Sequence, residues 1–405
     1  GNPPTVVGGI HASSVPDYVL SDPHIDYVIR GEGEDAFLEL AAALERGEDP
    51  SGVANLWSKR PDGSVVANEV RPTIADIDKI PFPEKDLWVR AGAINRTMMV
   101  IGTRGCPYQC TYCENHFLAR LYKDKGRFVR YRSPENIGEE LRLLDRRYKF
   151  RRFYFVDGTF NLNPPWLDEV LAIYKREVRK PFACDVVSAC MRPGMARKLA
   201  DAGCEWVYMG FDSGDTHMRN EVLKKGTTDY ELIEAVRQLQ AAGVKVQCST
   251  LLAVPGESEE EMRSTVAFVE RLRPDIVSTY LLYPFPATDI ARYAEERGLI
   301  DEAGKEAMRR GDSSYHQQSL LAHPLKPLAF TISKLLPLYN VAPGWLRWAL
   351  RRVMARPRPR LANAIYLATA PAVYPVIGRS MIRDLLGTIW KASFGRPAAP
   401  AAERA

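Results

Sequence analysis

From Met98 onward the chain alternates short apolar runs with longer stretches whose apolar residues recur every three or four positions. The first pattern reads as a buried strand and the second as a helix laying one face on a core. The predicted strands are 98–101, 153–156, 183–187, 206–209, 244–252 and 276–283, with helices at 133–148, 166–178, 193–202, 229–242 and 258–272. The first of these helices has a clear start signal: Ser133 as N-cap, Pro134 at the first helical position and Glu135 in the first turn. Alternating strands and helices predict a parallel sheet with right-handed crossovers. Six strands fall short of the eight of a closed barrel, so the predicted fold class is α/β, with a partial, TIM-like (β/α)6 barrel as its core.

The front of the chain has a different rhythm. Val6 and Val7 run into Gly8 and Gly9, and a second strand around Tyr27, Val28 and Ile29 runs into Gly31-Glu32-Gly33-Glu34. A helical pattern through Ala36, Phe37, Leu40 and Leu44 follows. This reads as the last third of a doubly wound α/β domain, so the chain is expected to be a fragment. Pro, Gly and Asp then dominate 50–95, where a linker carrying a small hairpin near Trp57 and Val65 is expected. The expected domains are 1–48, the domain fragment; 49–95, the linker; 96–310, the core; and 311–405, a helical, basic tail.

Composition supports a folded protein, with 46% hydrophobic and 26% charged residues. The net charge of +5 conceals an asymmetry. Residues 325–396 hold twelve Lys/Arg against one acid, Asp384, whereas residues 1–324 hold 42 Lys/Arg against 48 Asp/Glu. Nucleic acid, a membrane surface or another acidic partner would each suit so basic a tail. The stretch 361–378 is free of charge, and Trp345, Trp348 and Trp390 lie around it. It is marginal in length for a membrane span. A helical cap on the barrel and a peripheral membrane segment remain the two readings, and no nucleic-acid partner is expected.

The chemistry is concentrated at Cys106, Cys110 and Cys113, a Cys-x3-Cys-x2-Cys spacing just after the first predicted strand of the barrel. Cysteine thiolates, normally four, hold iron–sulfur clusters. Three on one short loop would leave one iron of a cubane without a protein ligand and open to a substrate or cofactor. The rival is a structural zinc site completed by His116. The strand-end placement favours the cluster, because in barrels that end of the sheet is the catalytic rim. Cys184, Cys190, Cys204 and Cys248 lie in apolar contexts and read as buried hydrophobes, which fits a reducing cytoplasm.

The trio, with Tyr112 before the last cysteine, resembles the radical S-adenosylmethionine (SAM) superfamily, and later strand ends extend the resemblance. Phe155-Val156-Asp157-Gly158 is similar to the loop that contacts the methionine amine. Met209-Gly210-Phe211-Asp212-Ser213-Gly214 resembles a Gly-x-Glu-Ser-Gly segment, with Asp212 in place of the usual glutamate. Leu252-Ala253-Val254-Pro255-Gly256-Glu257 resembles Gly-x-Pro-Gly-Glu, and Tyr283-Pro284-Phe285-Pro286-Ala287-Thr288 resembles Pro-x-Pro-Gly-Thr; Ala253 and Ala287 stand where glycine is common. The resemblance implies a [4Fe-4S] cluster on the three cysteines. It implies SAM bound near Tyr112, Asp157, Gly158, Asp212, Ser213, Pro255, Gly256 and Glu257, with Arg219 as a fork for the SAM carboxylate. Asp157, Asp212, Ser213 and Glu257 could equally cap helices, and Arg219 could be a surface residue.

The front end resembles the final strands of the cobalamin-binding domain fused to many radical SAM proteins, with Gly8 and Gly9 as backbone admitting the cofactor. His11 is expected in a loop rather than on cobalt, and cobalamin is expected in a full-length parent more than in this fragment. Together the two resemblances imply a cobalamin-dependent C-methyltransferase acting on an unactivated carbon of a small, possibly lipid-like molecule. An external electron donor of flavodoxin or ferredoxin type is implied with it. A cobalamin-dependent cyclase or rearrangement enzyme, and a zinc- or iron–sulfur-containing binding or electron-transfer protein, remain as alternatives.

Overall fold

The computed structural model describes residues 3–60, 62–92, 94, 96–312 and 319–373. Twelve strands are described. They are β1 (Val6–Val7), β2 (Tyr27–Ile29), β3 (Leu56–Lys59), β4 (Val65–Ala67), β5 (Thr97–Val100), β6 (Thr103–Arg104), β7 (Arg130–Tyr131), β8 (Arg152–Phe155), β9 (Phe182–Asp185), β10 (Cys204–Asp212), β11 (Lys245–Leu252) and β12 (Ile276–Leu281).

The predicted barrel core is present as a six-stranded sheet in the order β12-β11-β10-β9-β8-β5. Every pairing in it is parallel, with Val100 opposite Phe155 and Tyr208 opposite both Asp185 and Gln247. Sequential strands are neighbours because a helix follows each and packs back on the sheet. The crossover helices Pro134–Arg147, Pro164–Glu177, Met195–Asp201, Asp229–Ala241 and Glu259–Leu272 match the predicted ones within a few residues at their ends. Their starts are chemically specified. The Ser133 hydroxyl accepts from Asn136 N at 3.1 Å, and Thr228–Glu231 and Ser258–Glu261 form reciprocal capping boxes.

Phe153, Phe155, Phe160, Tyr174 and Phe182 fill the layer between β8, β9 and the helix Pro164–Glu177, with ring centroids 4.6–6.1 Å apart. Such aromatic pairs add about 0.5–1.5 kcal/mol each beyond their buried area. This anchors the second and third strands, whose carboxyl ends form part of the rim.

The N-terminal segment forms its own four-stranded sheet, β1-β2-β3-β4. β1 and β2 are parallel, while β3 pairs antiparallel with β2 and β4 with β3. The hairpin expected inside a linker is therefore an extension of the N-terminal sheet, and 49–95 is not a free connector. Ser58 faces Tyr27 across that pairing, a long-range contact that no local propensity could announce. His11 also departs from expectation. It lies in the short helix Ile10–Ser14, with its ring against Gly311.

The chain divides into two compact units, Gly1–Lys326 and Pro327–Ala405. The return of residues 319–322 onto the first unit places that division later than the expected 310/311 boundary; Ser319 Oγ donates to Leu282 O and Ala322 N to Leu299 O. The second unit contains helices Gly344–Met354 and Pro359–Val373. Among the described residues no helix is long and apolar enough to cross a membrane. The uncharged stretch 361–378 is helical to Val373, and the rest lies outside the described residues.

Candidate active site

Beyond β5 the chain turns through Gly102 into the two-residue ladder of β6 with β7, and then enters the cysteine loop at Gly105. Gly105 has φ 80°, and a Cβ there would lie 2.4 Å from Phe128 O, so both conformation and space demand glycine. Cys113 N donates to Cys110 O at 3.0 Å, and helix Glu114–Leu121 starts directly after Cys113. Thr111 fastens the loop to the far side of the rim. Its N–H donates to Leu223 O at 3.1 Å and its hydroxyl to Val222 O at 2.8 Å.

All seven cysteines are free thiols. Burial pushes the Cys110 thiol up to about 11, against the pull of Lys225, and burial also raises Cys113 despite hydrogen bonds from Asn115. Cys106 and Cys113 each add to the shift at Cys110, so the three sulfurs are close enough to oppose one another's ionisation. Three converging thiols fit a cationic metal group, which would favour thiolates where burial disfavours them. His116, the fourth ligand of the zinc alternative, has its Nε2 3.2 Å from Asp289 Oδ2, and Arg120 binds the same carboxylate.

At the end of β8, Asp157 Oδ1 accepts from Gly102 N at 2.9 Å and from Thr103 Oγ1 at 2.6 Å. Its other oxygen is buried without a protein partner. Burial drives this carboxyl up to about 6, although the Thr103 and Gly102 hydrogen bonds pull it down. A Cβ on Gly158 would lie 3.4 Å from Cys106 Cβ and 3.6 Å from Asn115 Nδ2, so the second strand end backs directly onto the cysteine loop.

The fourth strand end holds a triad. Asp212 Oδ2 accepts from Tyr112 OH at 2.6 Å and lies 2.9 Å from Lys225 Nζ. Burial alone would lower the Lys225 pKa, but Asp212 and then Cys110 outweigh it and hold the ammonium at about 12. Gly210 makes room for the pair, since a Cβ there would meet Asp212 Oδ1 at 2.8 Å and Lys225 Nζ at 3.0 Å. Tyr112 and Asp212, both expected near SAM, are thus brought together by a hydrogen bond, and Lys225 joins them. Lys224-Lys225 carries no motif spacing. The only clue is a lysine pair before Gly226 at the close of an apolar helical turn.

Arg219 is corrected. It is 0% exposed and donates to Ser213 O and Thr227 O, both at 3.0 Å, and to Asp229. Its guanidinium fastens the loop after β10, which leaves a SAM carboxylate no free fork there. Ser213 is also buried and accepts from Asp215 N at 3.1 Å, as a turn residue does.

After β11, Pro255 is buried and Gly256 has φ 83° with nothing within 4 Å of a Cβ position. Glu257 Oε2 accepts from Val254 N at 3.2 Å while Oε1 is buried and unpartnered, and burial pushes this carboxyl up to about 8. Ala253 and Ala287 have φ 58° and 61°, the left-handed region that glycine adopts without strain. The two alanines therefore keep the backbone of the glycine pattern. At the front, a Cβ on Gly8 would lie 3.7 Å from Ile29 O and one on Gly9 would meet nothing within 4 Å. Space is present beside β1, but His11, turned onto Gly311, supplies no nitrogen to it.

The chain is similar to several known proteins. The profile of the Radical SAM superfamily matches residues 100–269. An uncharacterized methyltransferase of Pyrococcus horikoshii is 30% identical over 301 residues, covering 73% of this chain and 64% of that protein. An anaerobic magnesium-protoporphyrin IX monomethyl ester cyclase of Rubrivivax gelatinosus is 25% identical, covering 71% of this chain and 52% of that protein. The chain thus spans between half and two-thirds of the length of these relatives. Among solved structures, the cobalamin-dependent SAM radical enzyme OxsB aligns over 95% of this chain and 62% of its own, with TM-score 0.66 and 18% identity. The radical SAM methyltransferase TsrM of Kitasatospora setae, with cobalamin and a [4Fe-4S] cluster bound, aligns over 89% of this chain and 81% of its own, with TM-score 0.61 and 19% identity. The structural likenesses establish the fold, including its N-terminal part.

Proposed function

We propose that this chain, whose residues 100–269 match the Radical SAM superfamily, is a radical SAM enzyme and that its whole protein is a cobalamin-dependent C-methyltransferase acting on an unactivated carbon. One observation carries the reading. Cys106, Cys110 and Cys113 lie on a loop at the carboxyl end of the first strand of a six-stranded parallel sheet, and the second and fourth strand ends close on that loop. A [4Fe-4S] cluster held by Cys106, Cys110 and Cys113 would supply the electron for reductive cleavage of SAM, and cobalamin would supply the methyl group.

The chain's own residues prepare the site. The three thiolates would hold iron. Asp157, tied to the first strand by one oxygen, keeps its second oxygen for an ammonium group such as the SAM amine. Tyr112 and Lys225 hold Asp212 rigid beside Cys110, and Lys225 brings a permanent positive charge there. The Val254–Glu257 turn offers a mostly protonated carboxyl at neutral pH, which can donate a hydrogen bond to a neutral acceptor.

The test is a reaction with SAM labelled by deuterium on its methyl group, supplied with cobalamin and a reductant. A product carrying the labelled methyl, with 5′-deoxyadenosine formed alongside, supports the reading. The magnesium-protoporphyrin cyclase relative supports a second reading, ring closure without methyl transfer. Substrate-dependent 5′-deoxyadenosine with no labelled product would favour that one.

A further inference from the structure

The unit Pro327–Ala405 contributes none of the site residues named above, yet its described helices present an unusual surface. On helix Gly344–Met354 the residues Leu350 and Met354 are buried, whereas Trp345 is 74% and Trp348 60% exposed. With Arg352 after them, Trp345 and Trp348 follow the three-and-four spacing of one exposed stripe on this helix. The Arg352 guanidinium lies over the Trp348 ring, 3.8 Å from its centroid. Arg356, Arg358 and Arg360 follow, all exposed, and Leu361 and Leu367 are exposed on the next helix, Pro359–Val373. Between Pro327 and Val373 the sequence has seven Lys/Arg and not one Asp or Glu.

Exposed tryptophan and leucine among exposed arginines make a surface that is both apolar and cationic. Trp rings favour the depth of lipid headgroups, arginines favour anionic ones, and a helix that lies in that interface has this composition. Duplex nucleic acid would engage the arginines and leave Leu361 and Leu367 in water. No described helix is long and apolar enough to span a bilayer, so the contact would be with its surface. We infer that the Trp345–Trp348 stripe and the arginines after it form a docking face for an anionic bilayer. This inference stands independently of the reaction proposed above.

The full chain should co-sediment with vesicles of equal parts phosphatidylcholine and phosphatidylglycerol, and stay in solution with phosphatidylcholine alone. Raising the salt should release it. Trp345→Ser with Trp348→Ser should lower vesicle partitioning by about tenfold. Replacing Arg352, Arg356, Arg358 and Arg360 together by Gln should do the same, and it keeps the test alive if the tryptophan variant does not fold. Four results would overturn the inference. They are no binding to anionic vesicles at low salt, equal binding to both lipids, partitioning untouched by both variants, and tighter binding to duplex DNA than to vesicles. Self-association through the tryptophans without vesicle binding would likewise replace the bilayer by a second copy of the chain.

Discussion

Glu32, half-buried, and Glu257, buried, are carboxylates in the same compact unit, and their surroundings treat them in opposite ways. Burial would raise the Glu32 pKa, but hydrogen bonds from Arg130 and from Ile74 N, with Arg104 3.3 Å away, outweigh it and hold it low. Arg130 and Arg104 belong to the ladder that leads into the cysteine loop, so Glu32 clasps the N-terminal sheet to the root of the site. Glu257 accepts from Val254 N, keeps Oε1 buried without a hydrogen-bond partner and has a carboxyl pushed up to about 8 by burial. Asp157 repeats that pattern at the second strand end. At the anchor the Glu32 carboxylate is paired through both oxygens, whereas at the strand ends Asp157 and Glu257 each keep one buried oxygen without a hydrogen-bond partner.

The contrast can be broken at either end. The largest effect should come from the clasp. Arg130→Leu removes two hydrogen bonds to Glu32 and one to Ile74 O, leaving the carboxylate Ile74 N and Arg104, and should cost about 3–4 kcal/mol in urea unfolding, whereas adding Glu32→Leu should restore part of the loss. A double variant no better than the single one would show that the pair is not the unit. Lys225→Met should cost less, about 2–3 kcal/mol, because Tyr112 still donates to the Asp212 carboxylate it leaves behind.

Glu257 should reveal itself through pH. Its folded pKa is raised, so the folded state binds more protons than the unfolded one. The stability it contributes is complete below about 4.5 and is lost as pH rises to about 8. Glu257→Gln should flatten the stability–pH slope across that window by about 1.4 kcal/mol per pH unit. Parallel slopes for the two proteins would contradict the raised pKa. The smallest effect belongs to the strained turns. Ala253→Gly and Ala287→Gly should each stabilise by about 0.5 kcal/mol, as relief of the positive φ exceeds the added unfolded-state entropy.

These particulars also show what could be read from the chain alone. The six core strands were legible because each is a short apolar run flanked by turn residues, and Ser133 because capping is local chemistry. The cysteine trio and the strand-end loops were legible because spacing and position speak together. Lys225 was not, since its place beside Cys110 depends on Thr111 reaching across to Val222 and Leu223, a contact more than a hundred residues long in sequence. Arg219 misled because a charged residue before a polar turn usually faces water; here three backbone and side-chain acceptors draw it inside. The hairpin of β3 and β4 is legible locally but its place in the N-terminal sheet is not, because sheet membership is decided by partners distant in sequence.

The account rests on the three thiols jointly holding iron at the rim. The direct test is anaerobic reconstitution with iron and sulfide, comparing the chain with its Cys106→Ala, Cys110→Ala and Cys113→Ala variants by iron and acid-labile sulfide content, and by 5′-deoxyadenosine formed from SAM after dithionite reduction. The account predicts about four irons and four sulfides per parent chain with SAM cleavage, and loss of both in every variant. A colourless parent carrying one zinc, or a brown one that never cleaves SAM when reduced, would contradict it.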